Sequence, residues 1–535
     1  MGPRRRVFIY DTTLRDGAQG EGISFSGGGK IRLARRLDDF GVDYVEGGFP
    51  GSNQTDDEFF QALKRQPLKR ARLAAFGSTR RPRTSAAEDA VLRKLVEAGT
   101  PAVTVFGKSW KLHVRDVLRT TADENLAMVF DTVSFLKGRR KEVLYDAEHF
   151  FDGYKDSADH AMASLKAAVR AGADAVVLCD TNGGTLSHDV YAITAEVVRQ
   201  LGAPVGIHTH NDSGSAVASS LEAVRAGAVQ VQGTINGYGE RCGNANLCSI
   251  IPSLELKLGL RCVPKGALRG IRELSLFVSD LVNQRQDGKA PYVGESAFSH
   301  KAGMHANAVE KNPRTFEHVN PALVGNERRI LISDGSGTSS VLLKALELGM
   351  GIRKSSSEAR DVLAALKHLE SKGYAFEAAD ASFRILIQKV LKKHKAFFDL
   401  EGFRVIVEKR GRNEPCLSEA TIKVRVRGKL EHTVGEGDGP VNALDSALRR
   451  ALTRFYPGIA KVVLTDFQTR ILDPEKATAA RTRVSIESSD GDETWGTVGV
   501  SGNVIEASWE ALVDSVEYKL FREEEKKAKR RASHD

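Results

Sequence analysis

At 535 residues the chain is longer than one hydrophobic core usually organises, which predicts two or three domains, and its 41% apolar content fits a globular enzyme. No run approaches the ~20 consecutive apolar residues that cross a bilayer, and residues 1–6 lead into a strand pattern without a signal-peptide core, so a cytoplasmic protein is expected. Five cysteines without a Cys-x-x-Cys argue against a zinc or disulfide framework, while the dispersed net charge of +9 fits a solvated surface or an anionic small substrate better than nucleic acid.

From residue 7 to about 258, short β-rich runs alternate with amphipathic stretches. Strands are expected at 7–11, 43–47, 72–76, 102–106, 142–147, 175–179, 205–210 and 229–234. Helices are expected at 30–40, 86–97, 124–136, 158–171, 189–201, 215–226 and 246–258. Eight β/α units in ~250 residues is the rhythm of a TIM (β/α)8 barrel. A doubly wound sheet is the alternative, disfavoured because no Gly-x-Gly-x-x-Gly follows the first strand and polar residues gather after many strands instead of at one switch point.

A TIM barrel delivers the C-terminal ends of all its strands to one mouth. Asp11-Thr12-Thr13-Leu14-Arg15-Asp16-Gly17 follows the first strand, and Glu46-Gly47-Gly48 ends the second. Asp146-Ala147-Glu148-His149 ends the fifth, and Cys179-Asp180-Thr181-Asn182 the sixth. The seventh closes on His208-Thr209-His210, whose alternate side chains share a face and converge two imidazoles on one point. Such a pair is structural or metal-binding, and oxygen ligands elsewhere decide which. The eighth strand leads into Gly237-Tyr238-Gly239-Glu240-Arg241-Cys242-Gly243-Asn244. Helix caps and turns explain any single one of these loops, but not two histidines, several carboxylates and two arginines at one mouth.

These patterns divide the chain into a barrel at 1–260, a helical connector at 261–395, a C-terminal α+β domain at 396–520 and a charged tail at 521–535. Connector helices are expected at 338–347, 356–371 and 379–393, and fraying is the default for the tail. The C-terminal domain carries an internal repeat of period 64: Val434, Gly435, Ala443, Ala447 and Leu448 recur as Val498, Gly499, Ala507, Ala511 and Leu512. Glycine turns around Gly435, Gly437, Gly499 and Gly502 are read as opening helices, where backbone N–H groups either receive an anion or merely form tight turns.

The Asp-Thr-Thr-Leu-Arg-Asp-Gly opening, the His-Thr-His-Asn-Asp strand end and the Gly-x-Gly-Glu-Arg-x-Gly-Asn-Ala loop occur in order at the right strands, and nearly the whole chain resembles the acyl-CoA aldol-condensing enzymes. That family includes 2-isopropylmalate, homocitrate and citramalate synthases, and Val45-Glu46-Gly47-Gly48-Phe49-Pro50-Gly51-Ser52-Asn53, Ala75-Phe76-Gly77-Ser78-Thr79-Arg80-Arg81 and Val105-Phe106-Gly107-Lys108-Ser109-Trp110 are most similar to its long-form citramalate branch. The resemblance implies an acyltransferase joining acetyl-CoA to a 2-oxo acid, pyruvate first and 2-oxoisovalerate second. It implies a divalent metal (Mg2+, Mn2+ or Zn2+) on Asp16, His208, His210 and Asn244, with Arg15 on the keto oxygen and Glu148 and Thr181 holding the oxo acid. It implies a lid at 291–305 bringing His305 as acid/base, a regulatory domain taking isoleucine or leucine at the glycine turns, and a homodimer. Gly27-Gly28-Gly29 stands where the family has charged helix formers, which predicts a looser helix start. A metal-dependent acyl-CoA lyase, which lacks the repeated domain, and an amino-acid sensor with a retired site are the competing readings.

Overall fold

The apolar runs of the first half close a barrel in the computed structural model, which describes residues 5–301, 303–331, 344–345, 348, 350, 357–376 and 378–532. Its strands are β1 (Phe8–Asp11), β2 (Tyr44–Glu46), β3 (Arg72–Ser78), β4 (Ala102–Lys108), β5 (Glu142–Glu148), β6 (Ala175–Asp180), β7 (Val205–Thr209) and β8 (Gln230–Gly233). They are parallel and hydrogen-bonded in chain order, and Asp11 opposite Gly233 closes the ring. Side-chain alternation splits each strand between two environments. Ile9, Val45, Ala75 and Val103 pack in the large core shared with the surrounding helices, whereas Tyr10, Tyr44, Ala74, Ala102 and Leu144 form a separate small cluster. By alternation, that cluster fills the barrel axis.

Helix starts differ from expectation where a cap decides them. The helix expected from 86 begins as Ala90–Glu97, because the Asp89 carboxylate accepts from the N–H groups of Val91 and Leu92. The three glycines do not loosen the first helix: Gly27–Phe40 includes them, and Ser26 Oγ caps it by accepting from Gly29 N at 3.1 Å. Helix Phe150–Arg170 starts at the barrel mouth, well before residue 158, with a non-helical break at Ser157. Helices Gln54–Arg65 and Lys111–Asp116 add to those expected from the sequence pattern.

Two compact units are present: Met1–Phe298 with His318–Arg328, and Ser299–Glu317 with Arg329–Asp535. The first therefore runs past the expected boundary at 260. The reason is burial, since Leu268, Ile271, Leu274, Val278, Tyr292, Val293 and Phe298 all pack into the barrel core.

In the second unit, β9 (Ser299–His300) pairs in parallel with β10 (Arg329–Ile330). Helices Ser357–Ser371 and Asp380–Val390 follow, while the helix expected at 338–347 lies, apart from 344 and 345, outside the described residues. Two antiparallel sheets complete it: β11 (Asp399–Glu408), β12 (Leu417–Val426) and β13 (Lys429–Gly437), then β14 (Val463–Ile471), β15 (Thr482–Ser489) and β16 (Thr494–Ser501). Each sheet leads into a helix, Pro440–Thr453 and Val504–Ala532. The repeat holds in detail. The first strands bulge at Leu400/Gly402 and Leu464/Asp466, and Thr433 and Thr497 each donate Oγ1 to a helix carbonyl, Ala447 and Ala511, at 2.8 Å.

Two expectations are corrected here. Gly435 and Gly499 lie inside β13 and β16, not in turns, and Gly437 ends β13, so only Gly502 of the four stands in a strand-to-helix turn. Close helix packing is the cause: a Cβ on Gly435 would sit 2.4 Å from Ala447 N, and one on Gly499 2.1 Å from Ala507 O. The charged tail is helical to Ala532 because ion pairs hold its start, Lys519 to Asp490 at 2.6 Å and Arg522 to Glu493 at 3.3 Å.

Candidate active site

The loop after β1 is fixed before any chemistry is considered. Asp11, fully buried, accepts from the backbone N–H and Oγ1 of Thr13, and Thr13 Oγ1 in turn accepts from Ile235 N at 2.9 Å across the ring. Burial pushes the Asp11 carboxyl up to about 7. The turn sends Arg15 over the mouth, where its Nη1 and Nη2 donate to Asp16 at 2.5 and 2.9 Å and its Nε to Glu46. Its guanidinium carbon lies 3.7 Å from the centroid of the Phe76 ring. Burial by itself would lower the Arg15 pKa, but Asp16 and Glu46 outweigh it and raise it, keeping the cation charged. Glu46 also accepts from the Tyr10 hydroxyl at 2.6 Å.

At the end of β7, His208 and the following His210 bring their Nε2 atoms to 3.4 Å. Gln232 Nε2 donates to Asp146 Oδ1 at 3.1 Å, which turns Gln232 Oε1 toward His208 Nδ1 at 2.8 Å. His208 therefore carries its proton on Nδ1 and aims the Nε2 lone pair at Asp16, 3.7 Å away. Burial lowers both imidazoles, His210 to about 3, so both stay neutral at neutral pH. One ligand atom from each of Asp16, His208 and His210 lies within 4.8 Å of the others. Asn244 Nδ2 stands 3.2 Å from His208 Nε2 while its buried Oδ1 has no hydrogen-bond partner, and Gly239 is obligatory beside it, since a Cβ there would fall 1.9 Å from that oxygen. Two imidazoles and a carboxylate leaving open positions are the donor set of a divalent cation. Charge agrees, since two carboxylates, Asp16 and Glu46, face the one guanidinium of Arg15. A cation fits these residues.

A cavity of about 250 Å³ opens beside this cluster, lined by Arg15, Asp16, Glu148, Thr181, His208 and His210. Its apolar wall is Phe49, Phe76, Phe106 and Cys179, with Phe76 stacked on Phe106 at 5.4 Å. Glu148 pairs with Lys108, and Thr181 Oγ1 accepts from the backbone N–H of His149 at 2.9 Å.

Residues 6–278 match the HMGL-like family model, 292–374 the homocitrate synthase post-HMGL domain-like model, and 377–520 the LeuA allosteric (dimerisation) domain model. The chain is 53% identical over 521 residues to the (R)-citramalate synthase of Aquifex aeolicus, covering 97% of this chain and 99% of that one. It is 52% identical to the (R)-citramalate synthase of Geobacter sulfurreducens, covering 97% of this chain and 98% of that one. The chain belongs to the (R)-citramalate synthase family. A probable 2-isopropylmalate synthase of Methanopyrus kandleri stands further off, 32% identical over 96% of this chain and 98% of that one.

Of the residues the sequence singles out, Arg15, Asp16, Glu148, Thr181, His208 and His210 line one cavity, and Asn244 touches His208 at its edge. His305 belongs to the second unit, on helix Gly303–Lys311, exposed and stacked on Phe316 at 4.2 Å. Glu46 and Asp146 are mouth residues to which sequence reasoning assigns no part, and Gln232 escapes it altogether. The signal for Gln232 is Gln230-Val231-Gln232, a strand whose alternate positions are polar on a face that is buried beside Tyr10.

Proposed function

We propose that this chain is an (R)-citramalate synthase, joining acetyl-CoA and pyruvate and releasing CoA after thioester hydrolysis. The carrying observation is the small cavity in which a guanidinium, a carboxylate–imidazole cluster and three phenylalanines face one another. A divalent ion held by Asp16, His208, His210 and Asn244 supplies Lewis acidity to a 2-oxo acid, and Mg2+, Mn2+ and Zn2+ all suit the donors. Arg15 directs N–H groups at the keto oxygen where negative charge develops as the C–C bond forms. Glu148 and Thr181 hold the oxo acid, and the phenylalanine wall surrounds its methyl group. His305 is the residue proposed to move the acetyl-CoA methyl proton, on the likeness of its segment to the family's lid.

The second unit is proposed to dimerise and to bind a branched-chain amino acid, isoleucine before leucine, which lowers activity. The deciding experiment is a product assay with purified, metal-replete enzyme, acetyl-CoA and each oxo acid in turn. On the likeness to citramalate synthases, pyruvate is expected to exceed 2-oxoisovalerate at least tenfold in kcat/KM, a ratio within reach of the ~1–3 kcal/mol that one methylene is worth. Preference for the branched acid would make the enzyme an isopropylmalate synthase.

A further inference from the structure

The corner after β5 carries an unusual conformation. His149 has φ 54° and ψ 37°, the left-handed region, immediately after Glu148 and immediately before helix Phe150–Arg170. A non-glycine residue is uncommon there and is retained only when its surroundings over-determine it. Here the surroundings do so. Ser109 Oγ donates to Glu148 O at 2.6 Å, a Cβ on Gly153 would strike Ser109 O at 2.5 Å, and the buried His149 ring lies 4.2 Å from the His113 ring, itself stacked on Trp110. The ring makes one polar approach, Nδ1 to Asp152 Oδ2 at 3.5 Å, and caps no helix N–H.

At the start of the left-handed turn the His149 backbone N–H donates to Thr181 Oγ1, 2.9 Å away on the neighbouring strand end. A hydroxyl that accepts there keeps its own proton to donate elsewhere, and Thr181 lines the cavity. Glu148, the last residue of β5 and the one before the turn, also lines the cavity. We infer that His149 is a positioning residue for 2-oxo acid binding: its left-handed backbone, held by the Trp110–His113 stack, fixes the Thr181 hydroxyl as a donor and sets Glu148 beside it. The inference rests on the reading that Thr181 and Glu148 hold the oxo acid. It assigns the work to the backbone conformation and not to the imidazole.

The test compares His149→Asn, which tolerates the left-handed region, with His149→Val, which does not, in the full-length enzyme. Valine is expected to raise the KM for pyruvate at least tenfold with a smaller change in kcat and an acetyl-CoA KM within about twofold of wild type. Asparagine is expected to restore most of that loss. Circular dichroism and thermal midpoints identify any variant that fails to fold, and calorimetric titration of pyruvate into the protein reads binding without turnover. In a Thr181→Val background, His149→Val is expected to add little, because the N–H has already lost its acceptor. A folded valine variant with wild-type pyruvate KM, asparagine as impaired as valine, or full additivity with Thr181→Val would overturn the inference. Wild-type enzyme that neither binds nor turns over pyruvate would instead overturn the proposed reaction.

Discussion

Arg15 is held in one orientation. Two bonds to Asp16, one to Glu46 and the Phe76 face leave the guanidinium one geometry. Lysine supplies charge without that fork. Arg15→Lys is therefore expected to lower kcat by about 100-fold or more, with a smaller effect on the pyruvate KM, as for loss of an oxyanion donor. Steady-state kinetics at saturating acetyl-CoA reads the outcome, and an unchanged kcat would remove Arg15 from that part. Asp11 gives a pH dependence. Its folded pKa of about 7 lies above the ordinary carboxylate value of 3.8 because it is buried, so between those values the folded chain binds more protons than the unfolded. The stability it contributes is complete below about 4 and is lost as pH rises through 7. Asp11→Asn should flatten the fall in thermal midpoint between pH 4 and 7, and an unchanged slope would show that other groups set it.

At the scale of elements, the repeat in the second unit is a packing device. Gly435 and Gly499 let a helix backbone lie directly on a strand, whereas a Cβ added at Gly502 would meet nothing within 4 Å. Gly435→Ala is expected to cost ~1–3 kcal/mol by overpacking, and Gly502→Ala to stay within about 0.5 kcal/mol. Urea unfolding followed by the signal of the second unit separates them, and equal midpoints would contradict the packing account. The glycine pattern is visible in the sequence, but its meaning is not, because a strand glycine and a turn glycine look alike until the facing helix is known.

For the whole molecule, regulation requires an effector that binds two arrangements with different affinity, since equal affinity shifts nothing. Isoleucine is expected to bind the full chain in calorimetry and to inhibit it, and removal of 396–535 is expected to abolish inhibition. Inhibition that persists unchanged in the truncated enzyme would place the effector elsewhere. No described helix is long and apolar enough to cross a membrane.

The sequence by itself determined the barrel, because short apolar runs alternating with amphipathic helical stretches through eight β/α units leave few other closures, and all eight strands fall within a few residues of their expected places. It also brought Asp16, His208 and His210 together, since one fold rule sends every strand end to one mouth and His-x-His puts two imidazoles on one face. Tertiary structure alone decided the rest. Gln232 orients His208 only because β7 and β8 are neighbours in register, and Asp146 matters only because Gln232 reaches it. The boundary of the first unit was set by Ile271, Leu274 and Val278 burying against the barrel, a choice between two apolar surfaces that local pattern does not express. His149 keeps its left-handed turn where Ser109 and His113 pack against it from another segment of the chain, and no residue next to it in the chain signals that.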